Sequence, residues 1–411
     1  MGKTVFPHRQ LRHREPIMPT LSARIQSLSP SPTVALNAKA KELKKAGADV
    51  LNFAVGEPDF LCPEVAIKTA VGALEAGDVK YGPAGGSPEL RTAICEKLKA
   101  ENGVSFSPDQ VVCGIGAKEI LFHIFLATLN EGDEVIINTP CWVSYEQQIK
   151  AAGGVPVFVP LGSSDNPIDV DEIEKYASEK TKAFVLCSPN NPAGYALNPE
   201  QLASLGKYLA KKDWWVISDE IYEYLSFDTP HQSIAAVVPE LTDRYVHVNG
   251  LAKGYAMTGW RVGYTAAPVA LSKLVKTLQS HSSTCIPPFI EKAALAAISA
   301  GKTVMEKHYE SLKTRRDLAK SLLDEMADVD YINPNGAFYI YIDIRKALSK
   351  AENYDELDSM KFAANLLETK HVAVVPGEAF NSPGYLRFSY AASESDIKEG
   401  LSRLSTTLES L

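Results

Sequence analysis

The segment Asn249-Gly-Leu-Ala-Lys-Gly-Tyr-Ala-Met-Thr-Gly-Trp-Arg261 holds a lysine and an arginine eight residues apart among small residues. Lys253 is flanked by Ala252 and Gly254, which is not the setting of a solvated surface lysine. A desolvated lysine near another cation has a lowered amine pKa and becomes a nucleophile toward aldehydes. In isolation the segment also reads as an ordinary loop with an ordinary lysine, so its surroundings have to decide. It lies between two short apolar runs, Tyr245–Asn249 and Val262–Ala266. Working outward, Gln110–Gly114, Glu134–Asn138, Val155–Val159, Ala183–Ser188 and Trp214–Ser218 also read as strands. Periodic helical stretches such as Ala117–Leu129 and Pro199–Lys211 separate most of them. Strand–helix alternation of this kind predicts an α/β fold with a mostly parallel sheet. Such sheets bind ligands at the carboxyl ends of their strands.

The pattern changes after Thr303. A charged helix is predicted over Val304–Met326, then strands at Ala337–Ile342, Val372–Val375 and Tyr385–Ser389, and a last helix from Glu394. This reads as a small α+β unit, with the predicted Pro32–Lys45 helix packed on it. The expected division is therefore a large domain over residues 65–303 and a small domain built from both chain ends, 18–64 and 304–411. Residues 1–17 carry Lys3, Arg9, Arg12 and Arg14 without an apolar h-region or a serine. They read as a disordered extension before a second start at Met18, not as a secretory signal; a targeting remnant is the alternative.

The chain has 411 residues, long for one hydrophobic core, and two domains are the natural expectation. A net charge of -8 argues against a nucleic-acid binder, which needs a basic face. It does not exclude a locally basic pocket for a small anion. None of the six cysteines forms C-x-x-C, so buried thiols in a reducing cytosol are expected. The eight histidines show no metal-ligand spacing, and no apolar run approaches the ~20 residues of a membrane span.

Several further motifs fall where strands end. Gly114-Ile-Gly-Ala-Lys118 joins a strand to an amphipathic helix, whose free N–H groups suit a phosphate dianion. It is not a dinucleotide fingerprint, because Glu119 stands where the third glycine should fall. Ser188-Pro-Asn-Asn-Pro-Ala-Gly194 and Ser218-Asp-Glu-Ile-Tyr222 each follow a strand. The plainer readings are a turn for the first and a helix N-cap for Asp219. A core tryptophan and a surface strand arginine are the plainer readings of Trp142, in Pro140-Cys-Trp-Val-Ser-Tyr145, and Arg387, in Tyr385-Leu-Arg-Phe-Ser389.

Taken together and in order, these segments resemble the class I (fold-type I) aminotransferases, enzymes dependent on pyridoxal 5'-phosphate (PLP). The Lys253 segment resembles their Schiff-base motif S-K-x-x-[AG]-x-x-G-x-R. Gly250 and Ala252 depart from it where relatives carry serine, and Ala193 replaces a threonine in the Asn-Pro loop. The resemblance covers almost the whole chain from Leu21. It implies that Lys253 forms the Schiff base with PLP and that Arg261, Gly116 and Ala117 hold the phosphate. Asp219 pairs with the pyridine nitrogen, Asn191 and Tyr222 donate to the phenolic oxygen, and Trp142 stacks on the ring. Tyr81, in Lys80-Tyr-Gly-Pro-Ala-Gly-Gly, reaches the phosphate of a partner subunit, so a homodimer with shared sites is implied. Arg387 and the backbone at Gly56 take the substrate α-carboxylate.

Pro32-Thr-Val-Ala-Leu-Asn-Ala-Lys-Ala40, with Gly116-Ala-Lys118, looks like the aspartate/prephenate subgroup. There Thr33 and Lys118 bind the distal carboxylate. A lysine in the first turn of a helix opposes the dipole, and the plainer reading has to accept that cost. The implied activity is amino transfer between an amino acid and a 2-oxo acid, most simply aspartate with 2-oxoglutarate, with glutamate or aspartate and prephenate as a further pair, in the cytoplasm or alternatively a plastid. The competing readings are an aromatic-acid aminotransferase, another PLP reaction such as β-elimination on the same fold, a PLP-sensing regulator and a nicotinamide dehydrogenase.

Overall fold

The computed structural model of the protein describes residues 19–163 and 166–411. The extension expected at residues 1–17 lies outside them. In chain order the strands are β1 (Leu51–Asn52), β2 (Val111–Ile115), β3 (Glu134–Asn138), β4 (Val155–Val159), β5 (Thr181–Cys187), β6 (Trp215–Asp219), β7 (Tyr245–Gly250) and β8 (Val262–Ala266). They continue with β9 (Asp330–Ile332), β10 (Tyr339–Asp343), β11 (Val372–Ala373), β12 (Val375–Pro376) and β13 (Tyr385–Ser389).

Strands β2 to β8 form one seven-stranded sheet in the order β2-β8-β7-β6-β5-β3-β4. Its pairings are parallel except those of β8, which runs antiparallel to both β2 and β7. These strands are apolar along their length because helices cover both faces. Val135 and Ile137 pack into one buried cluster with Ile120, Phe125 and Ile149, whereas Ile136 between them packs into the other with Phe184 and Val216. Side chains alternate across a strand, so a strand buried on both faces is continuously apolar. The elements expected between residues 65 and 303 are present, and their ends shift by a few residues at most.

The chain ends meet in a third cluster. β1 pairs in parallel with β11, and the four-stranded sheet β12-β13-β10-β9 is antiparallel. Phe338, Ile340, Ile342 and Phe388 are buried there with Leu312 and Leu401, which come from the helices Glu306–Asp324 and Glu394–Glu409. Three expectations change. The single strand predicted at Val372–Val375 is two, because β11 pairs with β1 while β12 pairs with β13. The strand predicted from Ala337 starts at Tyr339, since Ala337 has φ 56° and cannot belong to a regular strand. The helix predicted from Val304 starts at Glu306, after a tight turn over Lys302–Met305.

The last helix starts at Ser393, whose hydroxyl accepts a hydrogen bond from the Asp396 N–H at 3.1 Å. It lies directly on the Phe53 ring, which stacks on Phe388 at 4.1 Å. A Cβ at Gly400 would sit 2.2 Å from Phe53 Cε2, so the helix can approach this closely because that residue has no side chain. Gly400→Ala should therefore destabilise the protein by about 1–3 kcal/mol through overpacking, despite alanine's better helix propensity. The urea midpoint at fixed protein and PLP concentration measures this, and an unchanged or higher midpoint would contradict the packing account.

Candidate active site

The carboxyl edge of the large sheet carries the chemistry. β2 runs out at Ile115 into Gly116, β5 into the Ser188–Gly194 loop, β6 ends on Asp219 itself, and β7 leads to Lys253. β8 runs the other way, so its amino end lies at the same edge. Its register, Val262 opposite Ile115, brings Arg261 to the start of the helix Ala117–Thr128. The contact is close: a Cβ at Gly116 would lie 2.6 Å from Arg261 Nη2, and one at Gly263 would lie 2.1 Å from the Ala117 nitrogen. Gly116 has φ 81° and Arg261 φ 58°, and the Arg261 Nη1 donates to the Thr258 carbonyl at 3.0 Å. A guanidinium thus stands against the free N–H groups of a helix start, which is a binding place for a phosphate-like dianion.

These elements surround a cleft of about 360 Å³. Ala117, Trp142, Asn191, Asp219, Tyr222 and Lys253 line it together with Arg261. So do Gly56 and Arg387, the latter on β13 of the small sheet, and Thr33 and Lys118. Gly116 sits behind Arg261. Tyr81 is not part of this cleft; it is 89% exposed on the surface.

Asp219 is 4% exposed. It accepts hydrogen bonds from the Tyr145 hydroxyl at 2.6 Å and the Ile221 N–H at 3.3 Å. Burial pushes its pKa up to about 6, and the Tyr145 hydrogen bond works against that rise. Tyr145, one helical turn from Trp142 and edge-on to it at 5.3 Å, belongs to the site although the sequence reading passed over it. Its signal was the three-residue spacing, which puts both rings on one side of a helix start. Tyr339 was missed as well. It lies in an apolar strand pattern with no visible cue, yet its hydroxyl is 3.0 Å from the Tyr222 hydroxyl.

Lys253 donates to the Gly56 carbonyl. Burial, then the charge of Arg387, pushes its pKa down to about 8; Arg261 contributes in the same direction. Arg387 is 3% exposed and lies 4.4 Å over the Tyr339 ring. It donates to Asn191 Oδ1 at 2.9 Å and to the Ala54 carbonyl at 2.8 Å, and its Nε has no partner. Asn191 Nδ2 donates in turn to the Tyr222 hydroxyl at 3.4 Å. Lys118 Nζ lies 5.1 Å from the Trp142 ring centroid. Lys253, Arg261, Arg387 and Lys118 therefore face a cleft whose carboxylates are the buried Asp219 and the exposed Glu57, a balance that favours anionic ligands.

Among the described residues one other group, Glu220, Glu223 and His231, is close enough to hold a metal ion. Its carboxylates are already taken by Lys97, Asn102, Ser218, Ser233 and Tyr245.

A half-buried lysine and a buried carboxylate at the strand ends of such a sheet, beside an arginine-backed anion seat, define a cofactor-dependent group-transfer site. The sequence matches the family described as "Aminotransferase class I and II" over residues 48–404, and the chain belongs to that family. It is accordingly a PLP-dependent aminotransferase. It is 40% identical over 395 residues to a protein of Aquifex aeolicus named "Probable aspartate/prephenate aminotransferase", covering 95% of this chain and 99% of that one. It is 41% identical over 392 residues to the "Aspartate/prephenate aminotransferase" of Cereibacter sphaeroides, covering 94% and 98%. Among solved structures, the aspartate aminotransferase of Thermus thermophilus with maleate superposes with a TM-score of 0.88 at 38% identity, covering 95% of this chain and all of that one. That from Rhizobium meliloti gives 0.90 at 34% identity, covering 95% and 99%.

The cleft fits PLP. Asp219 is a buried carboxylate with no basic side chain hydrogen-bonded to it, the partner a protonated ring nitrogen requires. Lys253 is a partly neutral amine at neutral pH, ready for an aldehyde. In PLP-free protein, amine labelling of Lys253 should therefore follow a titration centred near pH 8, well below ordinary lysines. Arg387→Leu should move that midpoint upward, because a neighbouring positive charge no longer disfavours the ammonium. Mass spectrometry of the Lys253 peptide across pH reads both effects. A midpoint near that of surface lysines would remove the case for a desolvated nucleophile.

Proposed function

We propose that the protein transfers the amino group of aspartate to 2-oxoglutarate, with prephenate as a second oxo-acid acceptor. The observation that carries this reading is that two cations besides Lys253 and Arg261, Arg387 and Lys118, line one cleft, with Thr33 among the same lining residues. A substrate with two carboxylates satisfies both. The names of the relatives above support the same choice.

Lys253, Asp219, Tyr222, Asn191 and Arg261, with the N–H groups at Gly116 and Ala117, would hold PLP, and Trp142 would stack on its ring. When bound, the protonated ring supplies an electron sink for the charge left at the substrate Cα. Every other part of the reaction falls to the chain. Arg387 and the backbone at Gly56 orient the α-carboxylate, and the guanidinium is fixed beforehand by Asn191 and Ala54. Lys253 Nζ, with a pKa of about 8, takes the Cα proton and holds it for return. Asp219 stays ionised beside a cationic nitrogen, helped by the Tyr145 hydroxyl. The same groups serve the second half of the reaction, so ping-pong kinetics follow.

The wider organisation is part of the proposal. The large domain takes residues 65–303 and the small domain takes 18–64 with 304–411, in line with the separate sheets. The working unit is a homodimer. Leu61, Val71, Leu74 and Val79 are exposed apolar residues in the segment before the exposed Tyr81, in line with a partner covering this part of the chain. Free cysteines accord with a cytoplasmic location; the plastid alternative rests on residues 1–17, which the structure does not describe.

Two experiments test this. Lys118→Ala should lower kcat/KM for aspartate by about ten- to a hundredfold, the worth of a charge-assisted hydrogen bond of roughly 1.5–3 kcal/mol. Phenylalanine should change little. Equal loss on aspartate, prephenate and phenylalanine with excess PLP present would refute the dicarboxylate reading while leaving the enzyme class intact. For the dimer, mixing Tyr81→Phe with Lys253→Ala subunits should restore activity, since each hybrid then holds one intact site. Full activity in a dilute monomer would overturn the shared site.

A further inference from the structure

Asn52, at the end of β1, makes two side-chain hydrogen bonds. Its Oδ1 accepts from the Ala54 N–H at 3.1 Å, and its Nδ2 donates to Asn37 Oδ1 at 2.8 Å. The backbone N–H of Ala54 can only donate, so the orientation of the Asn52 amide is fixed, and Asn37 must present its oxygen. The Ala54 carbonyl is the acceptor for Arg387 Nη2. A polar chain thus runs from the helix Pro32–Lys45 through Asn37, Asn52 and Ala54 to the arginine. Asn37 lines the cleft one turn after Thr33, on the same face of that helix.

The helix has little else to set its position. Of its 14 residues, Ala40 alone is buried. Val34 is exposed, and Leu36 and Leu43 are half-buried. Apolar packing of that kind resists withdrawal but tolerates rotation and sliding, because it is not directional. A hydrogen bond between two amides of fixed orientation is directional.

We propose that the Asn37–Asn52 pair is a positioning latch that sets the span between the two carboxylate-binding ends of the cleft, and so selects the length of the substrate. This rests on the dicarboxylate reading above. Arg387 is held by Ala54, Ala54 is held by Asn52, and Asn52 holds the helix that carries Thr33. Losing the latch leaves the α-carboxylate end intact and loosens the distal one.

The test is a double-mutant cycle on the PLP-loaded enzyme. Asn37→Ala should raise KM for aspartate by about three- to tenfold, the usual range for one neutral hydrogen bond. Phenylalanine KM should stay within about twofold and kcat nearly unchanged, because a uniform binding contact moves KM. Binding of succinate, followed by the cofactor absorbance, should weaken in step with aspartate. Asn52→Ala also frees the Ala54 N–H beside Arg387, so it should add a smaller loss on phenylalanine to the aspartate loss, and the double variant should lose no more than Asn52→Ala alone. Alanine is a good helix residue, and unchanged urea midpoints for Asn37→Ala separate a latch from a folding defect. Equal losses on aspartate and phenylalanine in Asn37→Ala, or losses that multiply in the double variant, overturn the latch. Lys118→Ala run alongside distinguishes the causes: if it is selective for aspartate and the Asn variants are not, the latch alone falls. If Lys118→Ala is itself unselective, the dicarboxylate reading fails first and the latch with it.

Discussion

A carboxylate buried without a countercharge is costly, and Asp219 is such a group. Its backbone is the last residue of β6, so the central strand of the sheet fixes it. The Tyr145 hydroxyl and the Ile221 N–H supply part of what water would have given. The remainder is left for a cation brought from outside. The cleft is built around this deficit: the aromatic Trp142 on one helix start and the Asn191 and Tyr222 donors on neighbouring loops all open toward the same space. Ligand binding then supplies the missing countercharge, which links cofactor affinity to the ionisation of one side chain.

The opposite imbalance holds for the amines and guanidiniums. Arg261, Arg387 and Lys118 face a space in which Lys253 is desolvated, and the fields of the two arginines lower its pKa. The groups that would grip the anionic ends of cofactor and substrate also keep the reacting amine partly neutral. Binding and reactivity come from one charge arrangement, so a substitution at either arginine should not be expected to affect affinity alone.

Polar continuity connects the two sheets. Arg387 on β13 of the small sheet bonds Asn191 on a loop of the large one, and Asn191 bonds Tyr222 after β6. The Asn37–Asn52 pair extends this line to the N-terminal helix. Apolar packing also crosses between the units, since Tyr341 and Val375 share a buried cluster with Phe184 and Val216, but it is not directional, whereas these few hydrogen bonds are.

The sequence by itself determined the α/β alternation, because strands covered on both faces are continuously apolar and the helices between them are periodic. It also marked Lys253, Asp219, Asn191 and Arg261, because each lies in a motif at a strand end or turn, where small and special residues are needed, and Arg387 as a cation within a mostly apolar strand. Tertiary structure decided the rest. Arg261 reaches the start of the Ala117 helix because β8 inserts antiparallel between β2 and β7, a pairing that periodicity does not encode. Tyr339 belongs to the site through a contact across 117 residues, and in sequence it is one more apolar strand position. Asn37 and Asn52 are unremarkable polar residues until the fold of β1 against β11 brings them to 2.8 Å. Local pattern reports which face of an element is buried; which distant polar groups end up sharing a proton is settled by strand order and register.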